Sequence, residues 1–282
     1  MNDMTRFSFT KMHGLGNDFV VIDARANAPD LGPAAYRALG DRRRGIGYDQ
    51  FLTILPPRDG GTAYMTIHNP DGTEAEACGN GTRCVAATLM DENGSNSAVI
   101  ETVAGSLACS RDANGHVTVD MGPALLGWRD IPLIRGTDTL HVALEGAPAT
   151  DCVCVNIGNP HAVFFVDDAE AVALSKIGPT LENHPMFPER ANIEFVTVRS
   201  PHELRMRVWE RGAGITQACG SGACATLVAA TRRGVAGPKA NVVLDGGTLA
   251  LEWTEGGRVL MTGPIAMSFT GVFDVEDLLG VA

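Results

Sequence analysis

Two cysteines carry the chemistry that this sequence can do most directly. Each heads a Cys-Gly-x-Gly turn, Cys78-Gly79-Asn80-Gly81 and Cys219-Gly220-Ser221-Gly222, and they lie 219 − 78, or 141, residues apart in a chain of 282. The thiolate is the reactive form of cysteine, and a free thiol ionises near about pH 8.5. At a helix N-terminus the unpaired N–H groups and the dipole favour the anion, so a cysteine there is expected to ionise more readily. The same N–H groups hold a substrate carboxylate, and the glycines let backbone and ligand approach closely. Each turn therefore brings a base and an anion cradle to one place. Two of them, at equivalent points of two halves, suggest thiols facing each other across a two-fold axis, which suits proton transfer at both mirror-image faces of one carbon.

The other cysteines, Cys84, Cys109, Cys152, Cys154 and Cys224, are expected to be small buried residues. Zinc fits the spacing poorly: Cys219-x4-Cys224 is at the edge of ligand spacing and Cys78-x5-Cys84 lies outside it. A redox dithiol would want Cys-x-x-Cys, which this chain lacks. A non-catalytic zinc- or thiol-based binding module remains as the reading from a different class.

The elements that must position these turns are themselves duplicated. Gly16-Asn17-Asp18-Phe19-Val20-Val21 resembles Gly158-Asn159-Pro160-His161-Ala162-Val163, and Asp49-Gln50-Phe51-Leu52 lies over Ala191-Asn192-Ile193-Glu194 at the same offset. Asn69 and Glu210 each precede their cysteine by the same distance, and Gly105-Ser106-Leu107 and Met121-Gly122-Pro123 recur as Gly247-Thr248-Leu249 and Thr262-Gly263-Pro264. A repeat this long predicts two homologous domains rather than a solenoid. The expected boundaries are 1–122 plus 265–282 for an N-terminal lobe carrying Cys78 and 123–264 for a C-terminal lobe carrying Cys219.

Short apolar or alternating runs bounded by Gly, Pro, Asn and Asp predict strands at 19–22, 51–55, 64–67, 117–119, 140–144, 153–155, 162–166, 195–198, 204–208, 242–244 and 249–253. Helices are predicted at 33–41 and 169–177, and after each cysteine at 80–92 and 221–233, with Asn93-Gly94 and Gly234 as stop signals. The fold class is α+β: two pseudo-symmetric domains, each a mostly antiparallel sheet or barrel wrapped around a central helix.

Composition narrows the function. A hydrophobic content of 45% supports a core in each half, and the net charge of −11, with Arg42-Arg43-Arg44 as the sole basic run and read as solvated, argues against nucleic acid. No apolar run approaches the ~18 residues of a membrane span, and Met1 to Met12 lacks a signal-peptide core. Seven cysteines, an odd number in a chain too large to need staples, fit a reducing cytoplasm. The lysines are Lys11, Lys176 and Lys239, which makes a pyridoxal enzyme unattractive.

Along its whole length the chain resembles diaminopimelate epimerases. The resemblance rests on Lys11-Met12-His13-Gly14-Leu15-Gly16-Asn17-Asp18-Phe19, Gly45-Ile46-Gly47-Tyr48-Asp49-Gln50, Ala77-Cys78-Gly79-Asn80-Gly81-Thr82-Arg83-Cys84, Gly158-Asn159-Pro160-His161, Pro188-Glu189-Arg190-Ala191-Asn192, Glu210-Arg211-Gly212-Ala213-Gly214 and Gln217-Ala218-Cys219-Gly220-Ser221-Gly222-Ala223-Cys224. It implies interconversion of LL- and meso-2,6-diaminopimelate for lysine and peptidoglycan precursors, without metal, flavin or pyridoxal phosphate, by a cytoplasmic homodimer. It implies that Cys78 and Cys219 are the acid–base pair, that Gly79-Asn80 and Gly220-Ser221 hold the reacting carboxylate, and that His161 and Glu210 tune the thiols. Asn17, Gln50, Asn69, Asn159, Asn192, Glu210 and Arg211 would line the substrate pocket, with Arg211 suited to the distal carboxylate. A proline or hydroxyproline racemase, using the same two-thiol chemistry, is the alternative enzyme. Ile215, Ala77 and His68 depart from residues common in the family and bear on substrate tolerance.

Overall fold

The computed structural model describes residues 6–76 and 78–280, so Ala77 lies outside the described residues. In chain order the elements are β1 (Arg6–Gly14), β2 (Asn17–Asp23), α1 (Pro33–Gly40), β3 (Gln50–Leu55), β4 (Ala63–His68), α2 (Gly79–Asn93), β5 (Ser97–Thr102), β6 (Gly105–Arg111) and β7 (Val117–Pro123). There follow β8 (Val153–Asn156), β9 (Pro160–Phe165), α3 (Leu174–Glu182), β10 (Asn192–Ser200), β11 (Glu203–Glu210), β12 (Gly214–Ile215) and α4 (Gly220–Arg232). The chain ends in β13 (Lys239–Leu244), β14 (Gly247–Trp253), β15 (Arg258–Gly263), β16 (Ala266–Asp274) and α5 (Val275–Gly280). Contacts divide these into two units, one running to Val119 and resuming at Pro264, the other Asp120–Gly263.

The same strand plan is used twice. In the first unit β1 pairs antiparallel with β2, β2 parallel with β3, β3 antiparallel with β4, β4 parallel with β5, and β5, β6 and β7 continue antiparallel. In the second, β8 to β11 and β13 to β15 repeat this order of antiparallel and parallel neighbours. Even the register repeats: Phe19 faces Gln50 across β2 and β3, and His161 faces Asn192 across β9 and β10. The first unit adds β16, which pairs with β1 and brings Phe273 against Phe7 and Phe9. Both units are mostly antiparallel sheet with few helices, as expected.

Each sheet curls around one helix. α2 packs on β1, β2, β3, β5 and β6, and α4 on β8 to β11 and β13 to β15. A helix in contact with sheet on so many sides must be buried nearly all round. Accordingly α2 is buried from Gly79 to Ala87 and again at Leu89 and Met90, and α4 is buried at Gly220 and from Gly222 to Ala230. The small side chains Ala223, Cys224, Ala225, Ala229 and Ala230 let strands close on α4, and Cys84 and Cys224 are packing residues in this sense. Both helices end in the same stop. Gly94 and Gly234 take left-handed backbone at φ 60° and 70°, and the following N–H groups of Ser95 and Val235 return to Met90 and Ala230.

Two sequence expectations fail here. Residues 140–144 form no strand; a single bridge joins Val142 to Cys152. Asp138 accepts from the Leu140 N–H and sets a turn, while Val142 and Leu144 still reach the core, so alternation reported burial without a ladder. The helix expected at 169–177 begins only at Leu174, because Asp168 accepts from Glu170 N–H and Thr197 Oγ1 holds Ala169 N–H in a preceding turn. The arginine run is solvated, as read: Arg42, Arg43 and Arg44 are all exposed after α1, and Arg42 makes surface ion pairs with Asp18 and Asp49.

Candidate active site

In the first unit Cys78 is the N-cap of α2, with extended backbone at φ −150° and ψ 100°. Its sulfur accepts the Gly81 N–H at 3.3 Å, in the place where a serine or aspartate oxygen ordinarily caps a helix. Glycine at position 81 leaves the cap open: a Cβ there would sit 2.9 Å from a methyl end of Leu52 and 3.4 Å from the sulfur. Cys78 is half-buried. Its thiol lies 4.0 Å from Asn17 Oδ1, which also accepts from Asn80 Nδ2 at 3.1 Å, while Asn17 Nδ2 donates to Asp49 at 3.0 Å. Asn17, Cys78 and Asn80 are thus brought together. Gln50 and Asn69 form a second pair: Gln50 Nε2 donates to Asn69 Oδ1 at 3.4 Å, and Asn69 Nδ2 donates to Thr73 Oγ1 at 3.1 Å. Gln50 Oε1 is buried without a hydrogen-bond partner in the protein, an acceptor suited to a substrate ammonium. His68, one of the departures, stacks on Tyr36 at 4.3 Å, and burial lowers its pKa.

In the second unit Cys219 repeats the cap. Its backbone is extended at φ −110° and ψ 110°, its sulfur accepts the Gly222 N–H at 3.3 Å, and Ser221 Oγ lies at 3.6 Å. The surroundings are different. His161, fully buried, sets Nδ1 against Glu194 Oε1 at 2.7 Å and Nε2 against Asn159 Oδ1 at 2.7 Å. Glu210 accepts from Thr216 Oγ1. Asn192 bonds the backbone, donating to Pro160 C=O at 3.0 Å and accepting the Arg211 N–H at 2.9 Å. It therefore braces the ends of β9 and β11 as well as standing where a substrate residue was expected. Arg211, half-buried, donates Nη1 to Glu189 C=O at 3.1 Å, which leaves guanidinium N–H groups for a carboxylate. Ile215 is exposed.

The expectation that a helix N-terminus makes the cysteine more acidic does not hold for Cys219. Burial, and then the negative charges of Glu210 and Glu194, hold its pKa well above the usual thiol value, and the bonds from Ser221 and Gly222 do not compensate. Glu210 is raised as well, by burial first; Thr216, the Cys219 thiol and His161 pull it back and Glu194 pushes it up. Cys219 at neutral pH is therefore a thiol that donates toward a carboxylate.

Glu194 is the residue that sequence reasoning passed over. Its side chain is fully buried in β10, one oxygen on His161 and the other, Oε2, without a hydrogen-bond partner. A charged residue between Ile193 and Phe195 in an apolar strand is the signal that could have found it. So is the repeat, since the position of Glu194 is that of Leu52, and that of His161 is that of Phe19. Among the described residues no cluster of His, Cys, Asp and Glu has the arrangement of a metal site, and no disulfide joins the seven cysteines. No helix among the described residues is long and apolar enough to cross a membrane.

A family model described as diaminopimelate epimerase matches residues 9–126 and 153–268. The chain is 57% identical over 264 residues to the diaminopimelate epimerase of Rhodospirillum centenum, an alignment spanning 93% of this chain and 91% of that relative. It is 52% identical over 270 residues to that of Acidiphilium cryptum, spanning 96% and 97%. Among solved structures, a probable proline racemase from Agrobacterium radiobacter K84 with bound carbonate matches at a TM-score of 0.69 and 16% identity, covering 94% of this chain and 92% of that one. A hydroxyproline epimerase from Agrobacterium vitis with bound trans-4-hydroxy-L-proline matches at 0.67 and 17%, covering 99% and 96%. At these identities the two structures share the fold.

Proposed function

The chain belongs to the diaminopimelate epimerase family, and from that premise we propose that it interconverts LL- and meso-2,6-diaminopimelate with Cys78 and Cys219 as its proton-transfer pair. The observation that carries the reading is the repeated cap: in both units a cysteine sulfur accepts the third N–H of a central helix at 3.3 Å.

The difficulty of the reaction lies in removing a weakly acidic Cα proton. The Cys78 thiolate forms an S–H bond with that proton, and the Cα–H electron pair stays on carbon, delocalised into the adjoining carboxylate. The carbanion then takes the Cys219 thiol proton on its other face, leaving a Cys219 thiolate; the reverse direction exchanges the roles. Burial and Glu210 favour the protonated state of Cys219, which suits it to begin as the donor. The N–H groups of Gly79-Asn80 and Gly220-Ser221, at the positive ends of α2 and α4, support the charge developing on the carboxylate. One well-placed donor of this kind is worth about 2.7–4 kcal/mol, so both helix ends are needed. His161 and Glu210 tune the thiols. Asn17, Gln50, Asn69, Asn159 and Asn192 bind the polar ends of the substrate, and Arg211 takes the distal carboxylate.

The protein is proposed to work in the cytoplasm as a homodimer, in the synthesis of lysine and peptidoglycan precursors; light scattering on the purified chain gives the mass that tests the dimer. The function is tested by deuterium incorporation at Cα in D2O, with diaminopimelate and proline compared. Exchange into diaminopimelate, lost to full turnover in Cys78→Ser and in Cys219→Ser, is expected. Exchange into proline alone, or normal epimerisation by either variant, overturns the reading.

A further inference from the structure

The two half-sites are built on the same register but not with the same residues. Where the first unit sets Phe19 on β2 and Leu52 on β3, both fully buried and apolar, the second sets His161 on β9 and Glu194 on β10, both fully buried and polar. The exchange falls against the catalytic turn. A Cβ on Gly81 would touch Leu52 Cδ1 at 2.9 Å and the Cys78 sulfur at 3.4 Å; a Cβ on Gly222 would touch Glu194 Oε1 at 2.8 Å and the Cys219 sulfur at 3.2 Å. A leucine methyl beside one thiol has become a carboxylate beside the other. From that carboxylate a chain of contacts runs through both nitrogens of His161 to Asn159 Oδ1, each link 2.7 Å. Once Oδ1 is engaged, the Asn159 amide NH2 is the end left to meet a ligand.

We propose that Glu194 is a positioning residue of the second half-site: it orients Asn159 through His161 and sets the electrostatic difference between Cys219 and Cys78. The proposal rests on the reading of both cysteines as proton carriers. The ionisable groups facing Cys219 are Glu194 on β10 and Glu210 on β11, and His161 on β9 faces Glu194 and Glu210. Glu194 differs from Glu210 in having no hydroxyl donor: its Oε1 meets the His161 ring and its Oε2 meets no hydrogen-bond partner. A carboxylate so enclosed retains its field on the nearby sulfur, because the low local dielectric screens it little.

Glu194→Gln keeps an oxygen for His161 and removes the charge. Iodoacetamide labelling of Cys219, followed against pH by peptide mass spectrometry, is expected to move its midpoint to lower pH by about one unit, a roughly tenfold faster reaction below the midpoint. KM for diaminopimelate should stay within about twofold, since the link to Asn159 survives. Glu194→Asp should restore the wild-type midpoint. His161→Phe with Glu194→Leu copies the first unit, keeps a packed interior and cuts the link, so KM should rise by about tenfold or more. An unchanged labelling midpoint in Glu194→Gln overturns the electrostatic role, and a wild-type KM in the double variant overturns the orienting role. The labelling requires no substrate, so its result is independent of whether diaminopimelate is the molecule turned over.

Discussion

The same substitution, glycine to alanine, should have different consequences at the two cysteine turns, and the difference can be worked from the surroundings. Gly81 and Gly222 are the third residues of α2 and α4, and alanine in a helix interior is favoured over glycine by up to about 1 kcal/mol. Against that gain stands the space each Cβ must find. At Gly81 the tight contact, 2.9 Å, is a methyl end of Leu52, which can turn aside, and the Cys78 sulfur at 3.4 Å is at ordinary contact. At Gly222 the 2.8 Å contact is a carboxylate oxygen that is itself bonded to His161 at 2.7 Å and enclosed, and the Cys219 sulfur at 3.2 Å must give by a few tenths of an ångström. Overpacking of a closed site costs about 1–3 kcal/mol. Gly81→Ala is therefore expected within about 1 kcal/mol of the wild type. Gly222→Ala is expected to lose about 1–2 kcal/mol net and, with its sulfur displaced, about tenfold or more in kcat. Urea unfolding and steady-state epimerisation of the two variants, side by side, make the measurement. A Gly222→Ala protein as stable and active as Gly81→Ala would refute the reasoning that Glu194 is held rigidly beside the turn.

Two further outcomes follow from the ionisable groups. Cys219 is raised by burial, then by Glu210, so Glu210→Gln should bring its iodoacetamide labelling to lower pH; because the folded pKa is above the unfolded one, the stability tied to the protonated thiol is fully present below the unfolded value and is lost as pH rises through the folded one, which urea midpoints between about pH 8 and pH 11 would reveal. Asp18 has the opposite sign: burial raises it, but hydrogen bonds from Arg42 and Lys11 outweigh burial and hold it at about 2, below the ordinary 3.8. Its contribution is present above 3.8 and lost as pH falls toward 2, so Asp18→Asn should flatten the acid limb of the stability profile, and an unchanged limb would show that the Lys11–Asp18–Arg42 cluster is not ionised as described.

Local signals explain what the sequence made legible. The starts of α2 and α4 are written in the Cys-Gly turns and their ends in Gly94 and Gly234, because caps are set by the residues at the cap. Apolar runs gave β2, β3, β4 and β8 to β11 for the same reason. β5 and β6 carry polar residues such as Ser97, Glu101, Ser106 and Ser110 and do not stand out from loop. β16, largely exposed, is defined by its pairing with β1 some 260 residues earlier along the chain, a contact that no window reports. The ionisation of Cys219 was illegible for a related reason. A dipole argument sees its own helix, whereas burial and the carboxylates contributed by β10 and β11 decide the outcome. Glu194 was present in the repeat, lying over Leu52, and an alignment of the halves read for unlike pairs would have brought it out.

That unlike pair also argues for what the duplication achieves. Replacing a buried charged side chain and its partner by apolar residues of similar volume is often neutral or stabilising by about 1–4 kcal/mol. Here the replacement is already present in the same chain, since Phe19 and Leu52 fill the corresponding places of the first unit at the same register. Packing therefore does not require His161 and Glu194. Their cost falls on one half-site only, next to one of two sulfurs that are otherwise capped alike at 3.3 Å. Two identical half-sites would give two thiols of equal proton affinity, and nothing in them would decide which one is charged and which protonated. With Phe19 and Leu52 in one half-site and His161 and Glu194 at the same register in the other, the sulfurs keep equivalent caps while the charge around them differs. The proposed proton transfer would draw on that combination, matched caps with unmatched charge, and the sheet supplies the first by repetition and the second by four buried side chains.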